Sequence, residues 1–281
     1  MRHGLLVWVM FAIGVVACRS LPDPDALRLY DLSQGHTQVG REALDSLQGA
    51  RVVLVGEQHT NDWHHQAQLA VIRALQRSGV QVAIGLEMFR HERQGDLDQW
   101  VAGEIDETAF IPLYLENWSY DWAFYRPIFL YAREHRVPMI GLNISREISR
   151  QVAHHGFDAL TPAQRGVLND ITCDVTPAYR EFIRHAHDAH AHGRMDFDHF
   201  CQAQLLWDAS MALYALHYLI DNDERIMVLL AGSGHARKMG IPAQLSQRAP
   251  LPVVVVLPET PGVFDKGRVT AADADFLLLA P

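Results

Sequence analysis

The chain has 281 residues, enough for one large domain or two small ones with a sizeable core. Its 49% hydrophobic and 20% charged content is that of a folded globular protein. A net charge of −9 without a basic stripe argues against nucleic acid as a main partner.

Residues 1–18 read as a targeting segment outside the fold. Arg2 and His3 precede an apolar run, Leu5 to Ala17, of signal-peptide length and too short to span a bilayer comfortably. The run closes Val15-Val16-Ala17-Cys18, which resembles a bacterial lipoprotein signal. In such proteins the cysteine is lipidated and becomes the mature N-terminus. Lipid on Cys18 would tether a soluble domain to a membrane rather than embed it. Arg19 after the cysteine favours the outer membrane by resemblance to bacterial sorting patterns. A plain signal peptide or an uncleaved anchor, with Cys18 incidental, is the other reading. Residues 19–27 then form a tether, stiffened by Pro22 and Pro24. Cys173 and Cys201 could pair in an oxidising compartment or remain two separate thiols.

The folded part, 28–281, reads as one α/β domain with a mostly parallel sheet flanked by helices. Residues 41–48 look like a short helix leading into Arg51-Val-Val-Leu-Val-Gly-Glu57-Gln-His59. This apolar run before a glycine reads as a buried parallel strand. An amphipathic helix over Trp63–Arg77 completes a βαβ unit with a second strand, Val80–Glu87. A polar helical segment runs to Val101, and a helix over Tyr125–His135 precedes a third strand, Val137–Asn143. Between Ile144 and Leu219 no good strand occurs. Thr161 and Pro162 start a helix there. Further helices are expected over Pro177–Gly193 and Asp198–Ile220. The region about 144–220 is read as a helical cap inserted over the sheet edge. Strand four, from Arg225, enters Gly232-Ser-Gly-His235. A short helix over Ile241–Ser246, a strand over Pro252–Leu257 and a final strand over Phe276–Leu279 follow.

Four strand ends thus carry Glu57, His59, Glu87, Asn143 and His235 to one edge, where open α/β sheets bind ligands. Glu57 and His59 are two apart and could face one cavity. A carboxylate and an imidazole there suit a metal, or a general base with its orienting partner. A helix-capping glutamate with a satisfied histidine is the plainer reading. Glycines 232 and 234 allow tight or positive-φ backbone and close approach to a ligand. On the cap, Gln204 and Asp208 share a face at i, i+4 and could project onto the site, or form a polar surface stripe. His185, His187, His190 and His192 crowd one helix, as haem or metal contacts or as a solvated face. The aromatic stretch Tyr114 to Trp122 could line a flat pocket or be core. Arg90 and Arg146 could pair with an anion such as a propionate, or be surface charges.

Val-Leu-Val-Gly-Glu57-Gln-His59, Gly-Leu-Glu87-Met-Phe, Gln202-Ala-Gln-Leu-Leu-Trp-Asp208-Ala-Ser-Met-Ala and Gly-Ser-Gly-His235-Ala together resemble the ChaN-like haem-binding uptake lipoproteins. The resemblance runs from about residue 28 to 260. Their wider superfamily includes erythromycin esterase-like and TraB/Tiki-like proteins. Its signature falls on Glu57, His59, Glu87 and His235. The resemblance implies an α/β core with a helical subdomain and a role in haem or iron acquisition at the bacterial outer membrane. Haem is described in that family as ligated through tyrosine at a dimer interface. The implied partners are therefore haem or an iron species, a second copy of the chain and an outer-membrane uptake receptor. The expected ligand-binding set is Glu57, His59, Glu87, His235, Gln204 and Asp208. The alternative is a metal-dependent ester or amide hydrolase. There Glu57 or Glu87 would act as base, and Glu57, His59 and His235 would hold a divalent metal. No Gly-x-Ser-x-Gly elbow supports a serine hydrolase. A structural lipoprotein with a vestigial site is a third reading.

Overall fold

The computed structural model describes residues 27–168, 171, 174–190 and 196–280, without the side chains of residues 167 and 185–190. Two short strands, β1 (Arg28–Asp31) and β2 (Thr37–Val39), precede α1 (Arg41–Gln48). The core then runs β3 (Val52–Glu57), α2 (Asp62–Arg77), β4 (Gln81–Arg90), α3 (Gln94–Ala102), α4 (Glu107–Asn117), α5 (Trp122–His135) and β5 (Met139–Asn143). A helical insertion follows, made of α6 (Arg146–His155), α7 (Pro162–Val167), α8 (Pro177–His190) and α9 (Phe197–Asp221). The chain returns through β6 (Arg225–Gly232), α10 (Ser233–Ala236), α11 (Ile241–Arg248), β7 (Val253–Pro258) and β8 (Phe276–Leu278).

The sheet order is β2-β1-β8-β7-β3-β6-β4-β5. From β8 to β5 every pairing is parallel; β1 pairs antiparallel with β2 and with β8. β3 is buried at each position because both of its faces are covered. Val53 and Val55 enter the apolar layer under α2 and α5, while Val52 and Leu54 enter the layer under α9 and α11. A strand with no solvated face reads as a continuous apolar run, and for that reason the parallel strands stand out in the sequence. β1 and β2 do not. At four and three residues they carry too little pattern, and β1 is held by pairing with β8 near the other end of the chain.

Three departures from expectation shape the site. β4 continues to Arg90, so Glu87 lies inside the strand rather than at its end. The register between β4 and β5 slips between Leu86 and Arg90, which accommodates the longer strand. The aromatic stretch begins in α4 and ends at the start of α5, with Asp106 accepting from the Ala109 N–H as the cap of α4. Tyr114 and Trp122 from this stretch are core residues, as is Phe110 just before it.

α9 joins the sheet to the cap. Its 25 residues span about 37 Å at 1.5 Å per residue. The C-terminal half packs Met211, Ala212, Ala215 and Leu219 on the sheet. The N-terminal half carries two smaller clusters. Ala203, Leu206 and Ala209 meet Ile148 and Val152 of α6, while Phe200, Cys201 and Leu205 meet Tyr179 and Ile183 of α8. α7 begins as expected, with Thr161 and Gln164 in a reciprocal capping box and Pro162 in the first turn. Cys18, Cys173 and His192 lie outside the described residues, so the pairing of Cys173 with Cys201 does too; Cys201 itself is buried. His185, His187 and His190 fall within α8, but their side chains are outside the description.

Candidate functional site

β6 enters the sheet after the whole insertion and lies between β3 and β4. Its last residue, Gly232, pairs in register with Glu57, the last residue of β3. The ends of two strands distant in sequence therefore meet beside Glu87 of β4.

Glu57 is 2% exposed, with two donors bonded to one of its oxygens and a second imidazole close to the other. Its Oε1 accepts from His59 Nδ1 at 2.7 Å and from the Tyr125 hydroxyl at 2.6 Å. Its Oε2 lies 2.8 Å from His65 Nδ1. Burial alone would raise the Glu57 pKa. The hydrogen bonds and charge of His59 and His65 outweigh it and hold the carboxyl down to about 2. An ionised carboxylate only accepts, so His59 carries its proton on Nδ1. The Tyr125 hydroxyl is pushed far up by burial and by the Glu57 charge, so it remains a donor. For His59, burial works to lower the pKa, but the Glu57 bond and the Glu87 charge leave it raised. Trp118 meets the His59 ring edge-on at 5.0 Å and Tyr120 lies against it at 4.7 Å.

A second carboxylate–imidazole pair faces the first. Asp208 of α9 is 1% exposed. Its Oδ1 accepts from His235 Nδ1 at 2.6 Å, and its Oδ2 accepts from the Tyr179 hydroxyl at 2.6 Å. Burial opposes charge on both partners. For His235 the charge and hydrogen bond of Asp208, together with the charge of Glu87, prevail and push the imidazole up to about 9. The proton of this pair rests on His235 at neutral pH.

Glu87 stands between the two pairs. Its Oε2 accepts from the Gly232 N–H at 2.6 Å, and its Oε1 lies 4.0 Å from His235 Nε2. Gly232 is required by close approach, not by backbone angle, since its φ is −52°. A Cβ there would lie 3.1 Å from His59 Cε1 and 3.6 Å from Glu87 Oε2. A Cβ on Gly234 would meet nothing within 4 Å, so the tight geometry expected of both glycines belongs to Gly232 alone.

A cavity of about 590 Å³ opens over this edge and under the cap. Glu57, Gln58, His59, Ser233, Gly234 and His235 line its strand-end side; Ala153, Phe200, Ala203, Gln204 and Trp207 line its cap side. Val263 and Phe264 close it from a loop after β7. With Nδ1 of each histidine engaged by a carboxylate, Nε2 is left for the cavity. The structure thus brings together Glu57, His59, Glu87, His235, Gln204 and Asp208. It assigns Asp208 to orient His235 rather than to line the cavity.

Other expected residues serve elsewhere. Asn143 donates to the Glu87 carbonyl at 2.7 Å and supports the strand carrying Glu87. Arg90 and Arg146 both bond Asn117, through its side-chain oxygen and its carbonyl, and neither lines the cavity. Trp118 and Tyr120 brace His59 from behind. The metal triad of Glu57, His59 and His235 does not form. One Glu57 oxygen is turned onto two protein donors and the other lies against His65, and among the described residues no three His, Cys, Asp or Glu form a group that could hold a metal ion. Tyr125, Tyr179 and His65 were missed by sequence reading. Tyr125 and Tyr179 come from helices remote in sequence from the carboxylates they bond, whereas His65 lies in the first turn of α2 just after His59, where no spacing singled it out.

Residues 43–245 match the profile of the family described as haem-binding uptake, Tiki superfamily, ChaN. The chain belongs to this family. Its fold is that of the structure reporting cofacial haem binding to ChaN of Campylobacter jejuni, with a TM-score of 0.72 at 20% identity. That match covers 92% of this chain and 98% of the other. The type III effector HopBA1 matches more loosely, at a TM-score of 0.50 and 14% identity, over 85% of this chain and 91% of its own. A curated relative, Protein RETICULATA-RELATED 5, chloroplastic, of Arabidopsis thaliana, is 23% identical over 258 residues. This ChaN-family chain covers about a third of that relative's length, 34%, in a match over 82% of its own residues.

Proposed function

We propose that this protein is an envelope lipoprotein that holds haem, or an iron species, for uptake in the cavity between the strand ends and the cap. Family membership supports haem as the cargo. The placing rests on two imidazoles, His59 and His235, each fixed through Nδ1 on a buried carboxylate and each with Nε2 left to one cavity with apolar walls. A carboxylate behind a histidine sets its tautomer and raises its strength as an iron ligand. The volume lies within the roughly 300–1,000 Å³ of ligand clefts. To hold the iron beside His59, His235 would give up the Nε2 proton that its raised pKa keeps at neutral pH, and Phe200, Trp207, Val263 and Phe264 would cover the macrocycle. Bound haem supplies the iron and a flat apolar face; the chain supplies orientation and exclusion of water.

Haem titrated by absorbance into residues 19–281 should give a stoichiometric Soret shift and quench Trp207. His59→Ala and His235→Ala should each weaken binding about tenfold, a loss of about 1.4 kcal/mol. An unshifted Soret band with the unaltered protein would sink this reading.

Lipid on Cys18 would hold the domain at the outer membrane, delivering to an uptake receptor there. Among the described residues no helix is long and apolar enough to cross a membrane. Labelled palmitate should enter the full chain in a bacterial host and be lost in Cys18→Ser. Cofacial haem binding in the Campylobacter jejuni protein supports a second copy as partner. A haem-dependent doubling of mass by light scattering is the expected sign.

A second reading is acid–base chemistry on an ester or amide. It is favoured by Glu87 lying 4.0 Å from His235 Nε2, between two carboxylate–histidine pairs. Retention of the fold with loss of hydrolysis in Glu87→Gln would support it. The absence of hydrolysis of ester and amide panels would remove it.

A further inference from the structure

The site is built twice to one pattern. Glu57 joins a tyrosine hydroxyl, Tyr125, to an imidazole, His59; Asp208 joins Tyr179 to His235 in the same way. The two tyrosines stand in different parts of the molecule. Tyr125 lies in the layer under the sheet, whereas Tyr179 comes from α8 in the cap. Tyr179 is 4% exposed, packs with Ile183, Phe200, Cys201 and Leu205, and does not line the cavity. Its hydroxyl is spent on Asp208, so it is poorly placed to reach a ligand itself.

We propose that Tyr179 is a positioning residue for His235: its hydroxyl holds one oxygen of Asp208 so that the other faces His235 Nδ1, keeping Nε2 turned to the cavity. A buried carboxylate without that donor leaves an oxygen unsatisfied and is free to turn toward other donors. The cap then supplies more than a wall. α8 contributes the group that sets a histidine in α10, just past the end of β6, across a contact that no local sequence pattern announces. Arg237 lies over the Phe182 ring at 5.1 Å, so α8 is held to the same region by a contact that does not involve the hydroxyl. Tyr179→Phe removes one oxygen and leaves that packing in place.

The first readout needs no haem. In the full chain labelled with ¹⁵N-histidine, the His235 Nδ1 proton is identified by its loss in His235→Gln. In Tyr179→Phe it should shift or broaden beyond detection while the His59 signal stays unchanged. Placing 3-fluorotyrosine at position 179, a stronger donor of nearly the same shape, should move it in the opposite direction and covers the case of a poorly folded Phe variant. A His235 signal identical in all three proteins overturns the proposal. The second readout rests on the haem reading: Tyr179→Phe should bind haem with unchanged stoichiometry and about fivefold lower affinity. Loss of a phenolate-to-iron band in Tyr179→Phe, with the His235 signal unmoved, would make Tyr179 a ligand and also overturn it. If the unaltered protein binds no haem, the haem reading fails and the NMR comparison still decides.

Discussion

His64 is a histidine beside this site that does not serve it. Its Nδ1 accepts from the Gln58 N–H at 2.8 Å, and its Nε2 donates to Thr260 Oγ1 at 3.0 Å. Burial drives its pKa from 6.5 down to about 4, with the charge of His65 adding and that of Glu57 opposing. The folded protein therefore binds fewer protons here than the unfolded chain between those values. Stability falls as pH drops from about 6.5 to about 4, by on the order of 2–3 kcal/mol. His64→Gln should flatten that slope in urea melts at pH 7 and 5. Glu57 adds a deeper acid loss, since its contribution is full above 4.5 and disappears as pH falls through about 2. His235 acts with the opposite sign: its contribution is full below 6.5 and is lost as pH rises through about 9. His235→Gln should remove the alkaline loss, and by taking the opposing charge from Asp208 should push that carboxyl further up. Gly232→Ala tests the close approach. The added Cβ would displace His59, so haem affinity should fall about tenfold while the urea midpoint changes little. At this scale Glu57, His59, Glu87 and His235 were legible because each sits at or near the end of an apolar run. Tyr125 and Tyr179 were not, because a hydrogen bond across the fold leaves no periodic trace; His65, one turn into α2, carries no motif spacing of its own.

α9 carries the largest structural load of any element in the cap. Asp196 caps it, accepting from the Asp198 and His199 N–H groups. Asp196→Ala should cost about 1 kcal/mol. Amides of 197–204 should exchange faster, while 211–219, packed on the sheet, should not. The i, i+4 spacing of Gln204 and Asp208 was enough to put both on one face. Which of them would meet the cavity and which a histidine depended on the angle at which α9 crosses the strand ends. The aromatic stretch was ambiguous for a similar reason. Large apolar residues suit a core and a ligand wall equally, and α4 turns Phe110 and Tyr114 into the core.

Across the described residues, the two large apolar clusters lie on the sheet and the cap is a set of smaller clusters mounted on it. Added haem should slow amide exchange in 200–207 and 260–264, which wall the cavity, and leave β1 and β2 unchanged. Uniform slowing, or none, would contradict the cavity as the binding place. The sequence by itself determined the parallel strands, the helical insertion and the four motif residues, and it carried the family. Each of these is a local signal, an apolar run or a short spacing that survives without knowledge of neighbours. Only the tertiary structure decided which carboxylate serves which histidine. That choice follows from β6 lying between β3 and β4 and from α9 crossing above them, contacts set by packing between segments far apart in the chain.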